Sequence, residues 1–274
     1  MHYARVALAV ALAGSLSACL FAQKRSMDPL TGDPTKDYLA AFYPLHGEPS
    51  DKSGHGFDAA LPGGDLNPQG AEGPSGAPGA SLEFDGKTNA MAGDFLEVSA
   101  PKALEALKPE DAITVAVWAY SDDWKSVLLA GSGKAQERSL VSTAEGGGWA
   151  LYAKSNGKIA FSTYVAGDYR EAGVYLAALT PGWHHLAGTY DSATGELRFY
   201  VDGVQAAIAE GRGAAIDYSR FPNTTLIIGA DAEAGGGPEA RQDGNTHFMG
   251  RLAELRIYQA ALAPAAIAAV SKLK

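Results

Sequence analysis

The sequence predicts an all-β fold, an antiparallel sandwich of two β-sheets with short peripheral helices. Apolar segments of strand length recur along the chain, and Asp-Gly, Asn-Gly or Gly-rich turns separate them. No part of the chain alternates strands with long helices, which is the pattern of a parallel sheet. The clearest hairpin runs from Trp183 to Gly203, where Leu197, Phe199 and Val201 recur at every second position and so share one apolar face. These three observations together predict the two-sheet architecture.

The first 18 residues are predicted to be a signal peptide rather than part of the fold. A short basic start precedes an apolar run from Val6 to Leu16, which is too short to span a membrane as a helix. The stretch from Leu16 to Cys19 resembles the bacterial lipobox, and this resemblance implies cleavage before Cys19 and lipidation of that residue. An ordinary secreted protein with a stray cysteine is the alternative. Cys19 is the only cysteine, so no disulfide can form within the chain.

Residues 19–37 are predicted to be a lipidated N-terminus and a flexible tether, because they are polar, contain two prolines and show no lasting hydrophobic period. Leu20, directly after the cysteine, resembles the sorting pattern of outer-membrane lipoproteins. The expected location is therefore the bacterial cell envelope, at the outer membrane, with the membrane contacted through the lipid alone. The net charge of −9, without basic clusters, argues against nucleic-acid binding and suits calcium or neutral sugars.

Residues 38–274 are predicted to form one folded domain, a length that all-β sandwiches reach. Helices are predicted over Pro101–Lys108 and Ala263–Lys274, and Pro62–Gly79 is predicted to be an exposed loop. The segments predicted as strands share β-favouring residues and flanking turns; they are Leu39–Leu45, Ser81–Gly86, Phe95–Val98, Ile113–Tyr120, Val127–Ala130, Ser139–Thr143, Trp149–Ala153, Ile159–Tyr164, Trp183–Tyr190, Leu197–Val201, Thr225–Gly229 and Leu252–Tyr258.

A series of short motifs occurs in the order seen in a known family. The motifs are Tyr43–Leu45 with Asp51–Gly54, Ser81–Gly86, Ile113–Trp118, Gly182–Asp191, Tyr200–Gly203, Ile228–Gly229, and Gly250–Tyr258 with Ala261–Leu262. The series resembles the laminin-G-like jelly roll of the concanavalin A-like lectin/glucanase superfamily, and it spans nearly all of the chain after the tether. The resemblance implies a jelly-roll sandwich of two curved sheets, with loops and a concave face available to ligands.

The sequence offers no recognisable catalytic constellation. A glycoside hydrolase needs two carboxylates on a shared face, and enzymes of the resembling superfamily commonly carry them at alternate positions of one strand. Glu83 and Asp85 have that spacing but no third acid follows, whereas Asp122 and Asp123 are adjacent and would face opposite ways. The residue patterns of a polysaccharide lyase, a serine nucleophile elbow and a phosphate loop are not found either. No catalytic residue is predicted, and a divergent carbohydrate-active enzyme is kept as an alternative.

Two adjacent histidines, His184 and His185, lie in a predicted strand of the hairpin. Neighbouring side chains of a strand point to opposite faces, so these two cannot chelate one metal ion together. A structural role is predicted for both.

Calcium is the metal that the sequence favours, as a structural ion held by hard oxygen ligands in loops. The resemblance implies a site between the first loop, at Asp51, and the last strand, at Glu254. The aspartate that usually precedes this glutamate is replaced here by Ala253, which removes a ligand. A glycine-rich loop is the second candidate, with a merely solvated loop as the alternative, and its oxygen ligands would come from Asp231, Asp243 and Asn245.

Aromatic rings stack on the apolar faces of sugars, so exposed aromatic residues are the candidate ligand platform. Tyr152 and Tyr164 are out of phase with the core-facing residues of their strands and are expected to point outward. Tyr169 and Trp124 lie in turn-rich stretches where exposure is expected. The remaining tryptophans are predicted to lie in the core; they are Trp118, Trp149 and Trp183.

These observations predict a membrane-anchored extracytoplasmic recognition module that binds a glycan or a protein partner and does not catalyse a reaction. The expected partners are a carbohydrate or a protein of the envelope or the extracellular space. Two alternatives remain open. One is a divergent glycoside hydrolase or polysaccharide lyase, and the other is a structural lipoprotein of the envelope.

Overall fold

The computed structural model of the chain describes residues 37–61, 68–86, 94–99, 101–129, 137–143, 147–219, 226–231 and 246–274. The predicted signal peptide, Cys19 and nearly all of the tether lie outside these residues. Within them, no helix has the length and apolar character required to cross a membrane.

Strands dominate the described residues, and the helices are short. The strands are β1 (Leu39–Tyr43), β2 (Gln69–Ala71), β3 (Ser81–Asp85), β4 (Leu96–Val98), β5 (Ala112–Ser121), β6 (Arg138–Ser142), β7 (Trp149–Ala153), β8 (Lys158–Val165), β9 (Asp168–Tyr175), β10 (Gly182–Asp191), β11 (Glu196–Val201), β12 (Val204–Ala209), β13 (Leu226–Ile228) and β14 (Met249–Tyr258). The helices are α1 (Pro101–Leu107) and α2 (Pro264–Val270), with 3-10 turns at Ser126–Leu129 and Leu176–Ala178.

The strands form two antiparallel sheets. The eight-stranded sheet has the order β12-β11-β10-β5-β14-β3-β2, and β1 also pairs with β14. The six-stranded sheet has the order β4-β13-β6-β7-β8-β9. The hairpin noticed in the sequence forms the β10–β11 pair, in which Leu186 lies opposite Val201 and Asp191 lies opposite Glu196. The predicted antiparallel β-sandwich is therefore confirmed.

The core lies between the two sheets and includes a close approach of backbone to ring. A Cβ atom on Gly188 of β10 would lie 2.0 Å from Cγ of Phe161 on β8, so only glycine lets this ring cross the interface between the sheets. Trp149 of β7 is fully buried, and its Nε1 donates to the carbonyl of Leu107 at 3.0 Å. This bond joins the end of α1 to the core and satisfies the indole N–H.

Part of the outer face of the eight-stranded sheet is covered by α2. Four apolar residues of the C-terminal segment pack on Ala116, Ala187, Tyr200 and Tyr258 of the sheet; they are Leu262, Ala266, Ile267 and Val270. Trp118 lies on this outer face, where its Nε1 donates to the carbonyl of Leu273 at 3.0 Å. The six-stranded sheet keeps exposed side chains on its outer face, because Tyr169 and Tyr175 of β9 are 43% and 61% exposed.

The structure departs from the sequence predictions in two ways. Val127–Ala130 was predicted as a strand, but Ser126–Leu129 is a 3-10 turn because Ser126 donates through both its N–H and its hydroxyl to the carbonyl of Asp123. The strands that the sequence did not reveal are β2, β9 and β12, and all three end their sheets. Edge strands face solvent on more sides and therefore lack a clear apolar alternation.

Candidate functional site

A pocket opens on the outer face of the six-stranded sheet, which α2 leaves uncovered. Alternation along β7 places Trp149, Leu151 and Ala153 in the core and Ala150 and Tyr152 on the outside. The pocket has a volume of about 240 Å³. We call it the groove, and its lining residues are Glu137, Ser139, Ala150, Tyr152, Lys154, Ser162, Tyr169 and Asp231.

Tyr152 forms the middle of the groove and has two charged neighbours. Its hydroxyl donates to Oε2 of Glu171 on β9 at 3.3 Å, and the same carboxylate is ion-paired with Lys154. The Lys154 ammonium lies 5.5 Å from the centre of the Tyr152 ring. Burial raises the pKa of Tyr152 to about 12. The phenol therefore stays protonated at neutral pH, and its single O–H is the donor of the bond to Glu171.

Tyr169 supplies the exposed aromatic surface of the groove. It pairs across β8 and β9 with Tyr164, and the two rings meet edge to face, with centroids 4.9 Å apart and planes at 64°. Such a pair is attractive and restricts the orientation of the exposed ring. Because Tyr169 is nevertheless 43% exposed, one part of its ring is open to a ligand.

Oxygen atoms complete the groove opposite the tyrosines. Asp231 accepts a hydrogen bond from the hydroxyl of Ser142 at 2.6 Å, which orients its carboxylate. Glu137 is exposed, and Ser139 and Ser162 place hydroxyl groups in the lining. The structure thus brings Tyr152, Tyr164, Tyr169 and Asp231 to one face.

Trp124 does not belong to this site. Exposure was expected from its turn-rich surroundings, but the side chain is only 2% exposed and lies 5.9 Å from the ring of His184. The reason is the turn at Asp123, whose carboxylate accepts from the backbone N–H of Lys125 at 3.0 Å and so directs the tryptophan inward. The prediction that Trp183 lies in the core is also wrong. Its side chain is half-buried against Tyr120, outside the main core.

The carboxylate of Asp51 organises the first loop. Its oxygens accept from the backbone N–H groups of Phe42, Ser53 and Phe57 at 2.9 to 3.0 Å and from the Ser53 hydroxyl at 2.7 Å. Burial by itself raises the pKa of this carboxyl, but these backbone hydrogen bonds outweigh burial and hold the pKa below its usual value. Both oxygens accept from N–H and O–H donors of the chain, and calcium binding at Asp51 stays a prediction.

The structure describes only two of the other predicted calcium ligands, Glu254 and Asp231. Glu254 is ion-paired with Arg256 at 2.6 Å and with His46 at 3.0 Å. Asp243 and Asn245 lie outside the described residues, so only Asp231 of the second candidate loop is placed. In the described part of the chain, no three His, Cys, Asp or Glu side chains are grouped to hold a metal ion. Calcium near Asp231 remains a prediction.

The two histidines of β10 have separate structural partners. Nδ1 of His184 lies 2.8 Å from Oδ2 of Asp202, and its Nε2 lies 3.0 Å from the carbonyl of Thr180. His185 packs edge to face on Trp118, with centroids 5.6 Å apart. Burial, together with the guanidinium of Arg256, lowers the pKa of His185 to about 4, so this ring is neutral at physiological pH.

A laminin-G-type family model, described as the concanavalin A-like lectin/glucanases superfamily, matches residues 93–268. The chain belongs to this superfamily. No curated protein matches this concanavalin A-like chain in sequence.

Several solved structures share the concanavalin A-like fold at low sequence identity. Domain 4 of AbnA, a GH43 extracellular arabinanase from Geobacillus stearothermophilus in complex with arabinotriose, has a TM-score of 0.58 and 16% identity, and the match covers 85% of this chain and 98% of that one. The binding domain of Paraclostridial Mosquitocidal Protein 1 has a TM-score of 0.59 and 16% identity, with coverage of 86% and 52%.

A third similar structure is the binding domain of Botulinum Neurotoxin DC in complex with SialylT. Its TM-score is 0.58 at 12% identity, and the match covers 86% of this chain and 52% of that one. The chain thus spans about half the length of the toxin binding domains that it matches. At these identities the likenesses show a shared fold.

The sequence did not reveal the polar part of the groove of this concanavalin A-like domain. Lys154 follows the predicted strand β7, and Glu171 lies on the unrecognised edge strand β9, so their pairing depends on the β7–β8–β9 register. Glu137 and Ser139 reach the groove only because β6 pairs with β7. The alternation of small polar and apolar residues in β6 and β8 is the one signal in the sequence that could have indicated the polar lining of the groove.

Proposed function

We propose that this chain is a non-catalytic glycan-binding module whose ligand lies in the groove of the six-stranded sheet. One observation carries the proposal: Tyr152 of β7 and Tyr169 of β9 converge with carboxylates and hydroxyls around a pocket of about 240 Å³. Aromatic surface beside a few convergent polar groups is the general composition of a small-ligand site. The exposed ring of Tyr169 offers a stacking surface, and Glu137 and Asp231 offer acceptors for sugar hydroxyls.

The similar structures support a sugar as the ligand class. Domain 4 of AbnA was solved with arabinotriose, and nearly all of that domain matches this chain. A toxin binding domain of the same fold was solved with SialylT. Both examples support a sugar as the ligand, and the groove residues support it for this particular chain.

The pKa of Tyr152 and the existing partners of Glu171 favour binding over catalysis in the groove. A general base works best with a pKa near the operating pH, whereas burial raises the pKa of Tyr152 to about 12. Glu171 is ion-paired with Lys154 and hydrogen-bonded to Tyr152, and both partners engage its Oε2 atom. The alternative of a divergent glycoside hydrolase would have to use Glu137 and Asp231, the two carboxylates in the described lining.

A glycan array tests the proposed function directly. The full chain, purified in detergent, is expected to bind at least one class of oligosaccharide, with calcium present or with calcium removed by EDTA. Binding that requires calcium would show that an ion takes part in ligand recognition. Absence of binding to every glycan in both conditions would overturn the proposal.

We further propose that the module is lipid-anchored in a bacterial cell envelope, at the outer membrane. The support is the stretch from Leu16 to Cys19, which resembles a lipobox, and Leu20 after it. Expressed in a bacterium that processes lipoproteins, the chain is expected to incorporate labelled palmitate and to enter the detergent phase. The Cys19→Ser variant should lose both properties, and equal labelling of the variant would refute the anchor.

A further inference from the structure

We propose that the eight-stranded sheet carries a second carbohydrate site, which takes an extended, hydroxyl-rich sugar chain laid across its strands. The site is a row of side chains from four neighbouring strands, and we call it the cross-strand row. Its members are Trp183 of β10, Tyr120 of β5, Arg251 of β14 and Glu83 of β3. The inference adds a site to the glycan-binding function proposed above, and it does not depend on the groove, which lies on the other sheet.

The register of the sheet aligns the four members of the row. Trp183 lies opposite Tyr120, and Arg251 lies opposite both Tyr120 and Glu83. Side chains at opposite positions of neighbouring strands share one face of the sheet. The centroids of the Trp183 and Tyr120 rings are 5.4 Å apart. The guanidinium carbon of Arg251 lies 4.8 Å from the centre of the Tyr120 ring, and its Nε lies 3.7 Å from Oε2 of Glu83.

The cross-strand row lies on the outer face of the sheet, beside the part that the C-terminal segment covers. Trp118, two residues before Tyr120 on β5 and therefore on the same face, donates to the carbonyl of Leu273. Next to this covered part, a pocket of about 470 Å³ opens at the row. Its lining includes three members of the row, namely Tyr120, Arg251 and Glu83.

One end of the row places donors and acceptors side by side. The side chains of Arg251 and Glu83 are 27% and 52% exposed, and their ion pair is too long for a hydrogen bond. Nε of Arg251 has no hydrogen-bond acceptor among the described residues. A sugar hydroxyl both donates and accepts. A diol at this end can therefore accept from the guanidinium and donate to the carboxylate.

The other end of the row supplies aromatic surface. The Tyr120 ring is restrained by its hydroxyl, which donates to Asp122, and by the Arg251 guanidinium over its face. Trp183 packs against this ring with an angle of 55° between the planes and stays half-buried. A partly open indole beside hydrogen-bonding groups suits the apolar face of a sugar ring.

The spacing of the row sets the length of its ligand. Neighbouring strands lie about 4.8 Å apart, so Trp183 and Glu83, three strand spacings from each other, are separated by about 14 Å. One sugar ring cannot touch both ends, whereas a chain of several sugars can. The cross-strand row should therefore bind long chains better than short ones.

Oligosaccharides of two lengths test the row in the Tyr169→Ala variant, in which the groove is weakened. The probes are the disaccharides and hexasaccharides of the arabinan, xylan and cellulose series. The full chain in detergent is titrated while its tryptophan emission is recorded, because Trp183 belongs to the row and the described groove lining contains tyrosines instead. At least one hexasaccharide is expected to change the emission and to bind at least about tenfold more tightly than its disaccharide.

Two further substitutions locate the binding. Added to Tyr169→Ala, Arg251→Ala and Glu83→Ala should each weaken hexasaccharide binding by about tenfold, the size of a lost hydrogen bond to a charged group. Arg198→Ala is the matched control, since Arg198 is 30% exposed on the same sheet and is also paired with a glutamate, but lies outside the pocket. The control should bind normally. Thermal melts check the fold, and Glu83 is exposed enough to be replaced without unfolding the domain.

Two results would overturn the cross-strand row. One is that no hexasaccharide changes the tryptophan emission. The other is that Arg251→Ala and Glu83→Ala bind as tightly as the Arg198→Ala control. Either result would leave the groove standing, because the groove is judged separately, by calorimetry of the wild type and Tyr169→Ala with the best array ligand.

Discussion

Replacing Tyr169 by alanine is expected to weaken glycan binding by roughly 30-fold, a loss of about 2 kcal/mol. The reason is that this residue supplies the open aromatic surface of the groove, and alanine cannot cover the apolar face of a sugar. Because the side chain is 43% exposed and contributes little to the core, the thermal midpoint should change only slightly. Calorimetric titration with the best array ligand measures the effect, and a thermal melt checks the fold.

Tyr175→Ala is the matched control for this prediction. It removes a tyrosine from the same strand and the same outer face, and this tyrosine is 61% exposed and lies outside the groove. The affinity of the Tyr175→Ala variant for the ligand should equal that of the wild type. If both variants lost affinity equally, or if Tyr169→Ala bound normally, the ligand would have to lie elsewhere.

Replacing Asp51 by alanine is expected to lower the free energy of unfolding by about 3 kcal/mol at pH 7. The substitution leaves the backbone N–H groups of Phe42, Ser53 and Phe57 without their shared acceptor in a loop where Asp51 is only 9% exposed. A buried donor without a partner costs more than the bond itself contributes, because water cannot replace the lost oxygen. Urea denaturation followed by tryptophan fluorescence measures the difference.

The contribution of Asp51 should depend on pH in one direction. Its folded-state pKa lies below the usual value, so this stabilisation is complete above the unfolded-state pKa of about 3.9 and is lost as the pH falls through the folded-state value. The difference in the free energy of unfolding between wild type and Asp51→Ala should therefore be constant from pH 7 to pH 5 and should shrink below about pH 4. Glu48→Gln is the control, since its carboxylate pairs with Lys52 at the surface. A difference in the free energy of unfolding that widens in acid would contradict the stabilising role of the ionised Asp51 carboxylate.

Much of the fold could be predicted from alternation and turns, and the failures share a physical cause. Strands such as β5, β10 and β14 are buried and flanked by clear turns, so their residues carry a strong signal. The edge strand β9 is half exposed and mixes Asp168, Arg170 and Glu171 with small residues, so it has no apolar face to recognise. The run after Ser126 is apolar enough for a strand, but the hydrogen bonds at Asp123 close it into a turn.

The candidate site was only partly predictable, because its parts come from different strands. The outward direction of Tyr152 follows from the alternation within β7, which needs no tertiary information. The burial of Trp124 could not be predicted in this way. It depends on the turn at Asp123, which brings the Trp124 ring next to that of His184. The pairing of Lys154 with Glu171 depends on a register across three strands, and sequence periodicity does not determine that register.

Strand β1 has a consequence for how a large ligand can approach. It pairs with β14, so the N-terminal segment joins the domain on the eight-stranded layer, while the groove opens on the other layer. Stacked sheets lie about 10 Å apart, and each contributes an outer surface facing in the opposite direction. The proposed lipid anchor and the glycan site proposed in the groove would therefore belong to opposite layers of the domain. A polysaccharide bound in the groove would lie along the outer face of the six-stranded sheet, away from the layer on which the N-terminal segment enters.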